Sequence, residues 1–296
     1  MTYSENVSRV AQSALRSLEH QRAAVDGLIF GGPIARPKRV IAPTPANSKF
    51  QAEQALGDWA EACLAKGLNE ALGSHKAVHY GFSSKTIAGQ PGFKEEYQAS
   101  VFDTCEWGKR ADLLILPIDC ECASDISDVP TKDTQEIVGK SIGCVEVRSS
   151  RAEALKYIAY QKQRAEAGER VSNRVPNFTV KIEDLVKVHR WIEVFNKPQI
   201  YAQVFLDVIY GINVIKIMEY IASGVKLNIH EPQKTKKMTI FVPITEGRYV
   251  GTVDQYPEFK LEDRLTDNGR HDIFARPFGG HISVDGDVFK ELLIGG

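Results

Sequence analysis

Two short apolar segments constrain the fold more than any other feature of this chain. Residues 111–117 read ADLLILP and residues 142–148 read IGCVEVR, and each has the length of a β-strand. The first segment carries Asp112, and the second carries Glu146 and Arg148. Successive side chains of a strand alternate between the two faces, so Glu146 and Arg148 project from the same face. If the two strands are neighbours, Asp112 and Glu146 can meet at one end of that face.

A pair of adjacent acids points to a metal. Two carboxylates that lie close together in a half-buried place repel each other, and both are costly to ionise. A divalent cation bound between them removes that cost, and hard oxygen ligands suit magnesium. The two segments therefore predict a Mg²⁺ site at Asp112 and Glu146.

The order of these residues resembles a known nuclease signature. Asp112, a spacer and then Glu146-Val147-Arg148 is similar to the motif of PD-(D/E)XK nucleases, with arginine at the usual lysine position and Ala111 at the loosely kept proline. The stretches VEVRSS, NFTVKIEDLVKVHRWIEVF and KPQIYAQVFLDVIYGI extend the likeness. From about residue 50 onwards the chain resembles a type II restriction endonuclease of the AccI type.

The resemblance implies a function and a set of site residues. It implies Mg²⁺-dependent, sequence-specific hydrolysis of double-stranded DNA, with Asp112 and Glu146 as metal ligands and Arg148 supporting the phosphate. It also implies that Glu61, on the helix before the core sheet, is a metal ligand, although a solvated helical glutamate is the alternative. Because restriction sites are commonly palindromic, a homodimer is expected. A cognate DNA methyltransferase is the expected functional partner, without a necessary contact.

The arginine at position 148 leaves alternatives open. Arginine stays protonated at any working pH, so Arg148 cannot act as a general base. Lys140 or Lys156 can instead enter the site from a neighbouring segment. A catalytically inactive DNA-binding or regulatory protein on a nuclease-like scaffold is one rival interpretation, and a metabolic α/β enzyme with an accidental signature is another.

Charge and composition restrict the class of protein. The formal net charge of −1 counts mildly against DNA binding, so basic residues would have to line one cleft. The candidate clusters are residues 36–39, 109–110, 148 with 151, and 234–237. The chain has no phosphate-loop or GxSxG motif, no apolar run near the roughly 20 residues of a membrane span and no apolar signal core. Five cysteines without zinc spacing indicate reduced thiols, and a cytoplasmic location is expected.

The pattern of elements predicts an α/β fold with a mixed central sheet flanked by helices, an N-terminal helical arm and a C-terminal β-rich appendage. The predicted divisions are an arm at 1–48, a nuclease core at 49–237 and the appendage at 238–296. Residues 118–140 are expected to be a solvated polar excursion, and Ser150 is expected to cap the next helix. Helices are predicted at 5–24, 50–72, 150–167, 178–195 and 212–222, and strands at 97–104, 111–117, 142–149 and 200–206.

Overall fold

A computed structural model describes residues 1–21, 28–43, 47–82, 91–171, 174–230, 238–265, 269 and 271–294. The helices are α1 (Tyr3–His20), α2 (Ser48–Ala71), α3 (Phe93–Trp107), α4 (Thr131–Lys140), α5 (Ala154–Glu166), α6 (Ile182–Phe195), α7 (Val214–Ala222) and α8 (Gly286–Ile294). The strands are β1 (His75–His79), β2 (Leu113–Pro117), β3 (Gly143–Ser149), β4 (Asn177–Lys181), β5 (Gln199–Val204), β6 (Val208–Asn213), β7 (Asn228–His230), β8 (Thr239–Pro243), β9 (Arg248–Gln255), β10 (Glu258–Leu265), β11 (His271–Phe278) and β12 (His281–Val284). None of the described helices combines the length and apolarity that crossing a membrane requires.

A seven-stranded sheet forms the centre of the fold, in the order β1-β2-β3-β5-β6-β9-β12. The pair β3 and β5 is parallel, and the other neighbouring pairs are antiparallel. This confirms the predicted α/β class with a mixed sheet. Leu113 pairs with Val145 across β2 and β3. Continued by one residue, this register places Asp112 opposite Glu146, as the two apolar segments predicted.

Apolar layers cover both faces of the sheet. Leu113 and Val145 pack on the side of α2 and α8, whereas Leu114 and Cys144 pack on the side of α1, α6 and α7. Burial on both faces explains why β2 and β3 read as nearly continuous aliphatic runs. Each fully buried Leu or Val contributes roughly 1.5–3 kcal/mol, so charged side chains fit only at the strand ends.

The C-terminal residues contribute to three sheets. β9 and β12 extend the central sheet, β8 lies between β4 and β7 in a three-stranded sheet, and β10 pairs with β11. The described part of this segment is therefore rich in strands, and it ends in the helix α8. The division of the chain at residues 48 and 237 stays a prediction.

The predicted strand at 97–104 is wrong, because these residues belong to α3. Phe93, Tyr97, Val101 and Cys105 recur every four residues, which is a helical spacing, and the rings of Phe93 and Tyr97 stack at 5.9 Å. The first strand of the central sheet is β1, which pairs antiparallel with β2.

The helix predicted from residue 178 begins only at Ile182. Residues 177–181 form β4, in which Phe178 and Val180 are buried and the residues between them are exposed. β4 is held by β8, more than 50 residues later in the chain, so local periodicity did not show it. Similarly, the predicted helix at 212–222 begins at Val214, after the strand β6.

Residues 118–140 are less solvated than predicted. They include α4, whose Thr131, Thr134 and Val138 are buried. Ser150 does not cap α5, because the carboxylate of Asp207 accepts hydrogen bonds from the first two main-chain N–H groups of that helix, at 2.7 and 2.8 Å.

The N-terminal helix is confirmed for residues 3–20, and its predicted end falls among residues outside the described ranges. Residues 28–43 contain no helix or strand, as the proline-rich sequence predicts. They do pack on the core, because Phe30 is buried and the main-chain N–H of Gly32 donates to Glu193 at 3.0 Å. Most of the loop predicted at 83–93 also lies outside the described residues.

Candidate active site

The start of β2 and the middle of β3 place the two predicted acids side by side. The main-chain N–H of Val147 donates to Asp112 Oδ2 at 2.6 Å, which fixes the carboxylate of Asp112 against the neighbouring strand. The main-chain oxygen of Asp112 accepts from the N–H groups of Tyr80 and Gly81, at 2.8 and 3.1 Å. Asp112 is therefore held on both its main chain and its side chain.

Gly81 passes very close to Asp112. A Cβ atom at position 81 would lie 2.9 Å from Asp112 Cα and 3.2 Å from Oδ1. The first distance is to a main-chain atom that cannot move aside cheaply. The absence of a side chain at Gly81 therefore permits the observed position of Asp112.

Glu146 is buried, with 1 % of its surface exposed, and two cations approach it. Arg148 lies 2.8 Å from Glu146 Oε1, and Lys109 Nζ forms an ion pair with the same oxygen. Arg148 also faces Asp184 of α6 at 3.6 Å. Within the described part of the chain, the buried oxygen Oε2 of Glu146 has no hydrogen-bond partner.

Lys109 is a site residue that the sequence analysis counted only as part of a basic cluster. The adjacent Gly108 has φ +90°, and a Cβ atom there would lie 2.2 Å from the main-chain nitrogen of Trp191. This close approach to α6 is completed by a hydrogen bond of 2.9 Å from Lys109 N to the carbonyl of Lys187. The loop before β2 thus directs Lys109 into the site. Its position three residues before Asp112, in a motif that lacks lysine at 148, was the available signal.

The electrostatics of the acids agree with their crowding. Burial, with the charges of Glu146 and Glu61, raises the pKa of Asp112 well above its ordinary value. Burial, with the charges of Asp58 and Glu146, raises the pKa of Glu61 to about 7. Lys109 and Arg148 lower both values or that of Glu61, but they do not cancel the effect.

Arg148 remains a cation in this environment. Burial works against its charge, but the neighbouring carboxylates, Glu146 above all, outweigh burial and raise its pKa. The same fields act on Asp184: burial raises the pKa of Asp184, but Lys109, Lys187 and Arg148 lower it further, so the net shift is downward. Arg148 therefore lies between two ionised carboxylates and tethers β3 to α6.

The donor set suits a hard divalent cation. Asp112 and Glu146 offer oxygen ligands, and the unpartnered Glu146 oxygen with the raised pKa of Asp112 indicates negative charge that lacks full compensation. Glu61 responds to the charge of Glu146 from the side of α2. Over the described ranges, no three His, Cys, Asp or Glu side chains are clustered closely enough to form a ready metal cage.

A cavity of about 210 Å³ opens beside Asp112. Lys109 and Asp112 line it, together with Gly81, Phe82, Ser100, Asp103, Thr104 and Arg110. The guanidinium of Arg110 is buried and donates to the carbonyls of Val129 and Ile126 at 2.7 and 2.9 Å, so it supports the loop after β2. Lys109 is therefore the cation that both contacts Glu146 and faces the cavity. A larger cavity, of about 470 Å³, is lined by other residues, including Lys216 and Arg248.

Other predicted contributors lie elsewhere. Lys140 pairs with Glu136 at 2.9 Å, and Lys156 pairs with Glu153. Arg151 is exposed and pairs with Glu53 of α2 at 3.5 Å. The two lysines proposed to replace Arg148 are thus engaged on the surface, and the basic cluster at 234–237 falls in a segment without described residues apart from its neighbours.

Comparison with known proteins decides the family. A family model described as AccI restriction endonuclease matches residues 23–175 and 155–247, which together span more than half of the 296 residues. The chain belongs to the AccI restriction endonuclease family. No curated protein and no solved structure matches it. The matched range of this AccI-family chain includes Glu61, Lys109, Asp112, Glu146 and Arg148, so the acidic pair and its cations lie in the part that defines the family.

Proposed function

We propose that this AccI-family protein is a type II restriction endonuclease that hydrolyses phosphodiester bonds at specific sites in double-stranded DNA with Mg²⁺. One observation carries the proposal. Asp112 and the buried Glu146 lie side by side on neighbouring strands, with an unpartnered carboxylate oxygen and two cations at the same place. Within a restriction endonuclease family, this arrangement is best suited to holding a metal against a phosphate.

Asp112 and Glu146 would hold the metal, with Glu61 as a further ligand. When bound, magnesium supplies a water of lowered pKa and neutralises charge that develops on the phosphate. The chain supplies rigid placement. The Val147 N–H fixes Asp112, and Arg148 holds Glu146 in an ionised, acceptor-only state.

Lys109 would take the role that the lysine of the Glu-x-Lys motif has in this superfamily. Its ammonium contacts Glu146 and faces the cavity beside Asp112. From there it can orient the attacking water or the scissile phosphate and stabilise negative charge as the bond breaks. Arg148 would support the phosphate as originally predicted, and it would also position Glu146 through its contact with Asp184.

One observation favours the inactive alternative. Lys109 and Arg148 both pair with Glu146, so the site is partly neutralised without a metal. A protein of this kind could bind DNA on a nuclease-like scaffold and leave it intact. Cleavage assays separate the two functions, because only the endonuclease converts DNA to discrete fragments.

The partners follow from the proposed reaction. Double-stranded DNA is the substrate, a homodimer matches the symmetry of a palindromic site, and a cognate methyltransferase protects the same site without necessary contact. The enzyme would act in the cytoplasm, where the DNA it restricts enters the cell.

The test is digestion of a sequenced phage genome with Mg²⁺ by the wild type, Asp112→Asn and Glu146→Gln. Asp119→Asn is a matched control, because Asp119 lies in the exposed turn just after β2. We expect discrete fragments from the wild type and the control and a loss of roughly a thousandfold or more from either site variant. Binding of duplex without cleavage would favour the inactive DNA-binding protein. Equal cleavage by all four proteins would remove Asp112 and Glu146 from the site.

A further inference from the structure

β10 presents a free edge. β10 and β11 form a two-stranded sheet, and β11 lies against α2. In the described part of the chain, β10 pairs with no strand other than β11. The main-chain N–H and C=O groups along its outer edge therefore have no strand partner. An exposed edge of eight residues is a template for pairing with another chain.

The two faces of this hairpin differ. Ser48 of α2 donates to the buried Asp272 at 3.4 Å, which places the face of Asp272 toward α2. The opposite face is apolar and exposed. Its large side chains have exposures of 55 %, 79 %, 63 % and 56 %: Phe259, Leu261, Leu265 and Ile273. Natural edge strands rarely combine such length with so much exposed apolar surface, so the hairpin is suited to a protein partner.

DNA fits this hairpin poorly. The described residues of β10 and β11 carry four acids and three lysines or arginines, so the ribbon has no basic excess. The acids are Glu258, Glu262, Asp263 and Asp272, and the basic residues are Lys260, Arg264 and Arg276. Phosphate neutralisation requires the reverse balance.

The charges along β10 select one way of pairing with a second copy. Two antiparallel copies related by a twofold axis perpendicular to the sheet keep each face continuous, so the axis passes through a residue. With the axis at Leu261, Glu258 lies opposite Arg264 of the second copy, and Lys260 lies opposite Glu262. With the axis at 260 or 262, like charges oppose each other, which destabilises a strand pair.

We propose that β10 is a self-association edge, where two copies of this chain join antiparallel about Leu261 into one four-stranded sheet. Each opposite-charge pair occurs twice, and the two Leu261 side chains meet at the centre of the exposed apolar face. The proposal rests on the hairpin alone; only the link between this dimer and palindromic DNA depends on the proposed function.

Cross-linking tests the register. Directly opposite Cα atoms in an antiparallel pair lie about 4.5–5.5 Å apart, which is within disulfide range. Leu261→Cys should therefore form a disulfide-linked dimer under mild oxidation. Phe259→Cys is the matched control on the same face, because its symmetry mate would lie roughly 13 Å away along the strand. Cross-linking of Phe259→Cys as efficient as that of Leu261→Cys, or none above the wild-type background, would overturn the register.

Sedimentation equilibrium tests the charge pairing without any activity assay. Lys260→Glu should raise the dimer dissociation constant roughly tenfold or more, because two attractive pairs become repulsive. The double variant Lys260→Glu with Glu262→Lys should restore dimerisation, since the exchange recreates opposite charges across the axis. A wild-type protein that stays monomeric at roughly 100 µM, or a double variant no better than the single one, contradicts the proposal. Asp112→Asn should dimerise like the wild type, which keeps this test separate from catalysis.

Discussion

Glu61 allows the electrostatic account of the site to be tested through stability. In the metal-free protein its pKa is about 7, because burial and the charges of Asp58 and Glu146 oppose its ionisation more than Lys109 and Arg148 favour it. The folded protein therefore holds a proton on Glu61 that the unfolded chain releases near pH 4.5. Between these two values the folded state binds more protons, so the free energy of unfolding falls as pH rises and levels off above pH 7.

The size of the effect follows from the shift. A rise from 4.5 to about 7 corresponds to at most roughly 3 kcal/mol at pH 8, since each pKa unit is about 1.4 kcal/mol. Because Glu61 is partly exposed, solvent screening reduces this to about 1–2 kcal/mol. Glu61→Gln removes the ionisable group and should stabilise the metal-free protein by that amount at pH 8. At pH 4.5 the variant and the wild type should unfold with nearly the same free energy.

The assay is urea unfolding with a chelator present at pH 4.5 and pH 8. Glu53→Gln is the control, because Glu53 is on the same helix but forms exposed ion pairs with Lys49 and Arg151. It should lose at most about 1 kcal/mol at pH 8. If Glu61→Gln is no more stable than the wild type at pH 8, or gains equally at both pH values, Glu61 does not share the field of the acidic site.

Three further substitutions test the geometry around the acids. Lys109→Met should lower the cleavage rate by roughly 10²–10³ with little change in unfolding free energy, and a matching loss of stability would mark Lys109 as structural. Gly81→Ala should displace Asp112, cost about 1–3 kcal/mol in urea unfolding and lower cleavage; unchanged values would refute the close approach. Arg148→Met should destabilise the protein by about 2–4 kcal/mol, because Glu146 loses a buried partner, whereas Arg148→Lys should recover part of this. Equal stability of the two Arg148 variants would argue against charge compensation.

The acidic pair was predictable because both of its strands are legible locally. β2 and β3 are buried on both faces, so each reads as an apolar run interrupted by charge at the place where solvent returns. Antiparallel pairing then leaves few registers, and the observed one puts Asp112 opposite Glu146. The family resemblance depended on these same residues.

What failed depended on distant segments. β4 is a strand because β8 pairs with it, and the sequence around Phe178 is equally compatible with the start of a helix. Lys109 reaches Glu146 only because Gly108 passes tightly against α6, a contact between residues 108 and 191. No local pattern encodes that approach. The misassigned helix α3 is different, because its four-residue spacing was present in the sequence and was missed.

The central claim is that Asp112 and Glu146 hold a divalent cation together. Manganese is a suitable probe, because it accepts the same oxygen ligands as magnesium and scatters anomalously. Crystals grown with Mn²⁺ should show an anomalous peak about 2.1 Å from an oxygen of each carboxylate, with Lys109 moved off Glu146. A peak elsewhere, or none while Lys109 and Arg148 both remain on Glu146, would contradict the account.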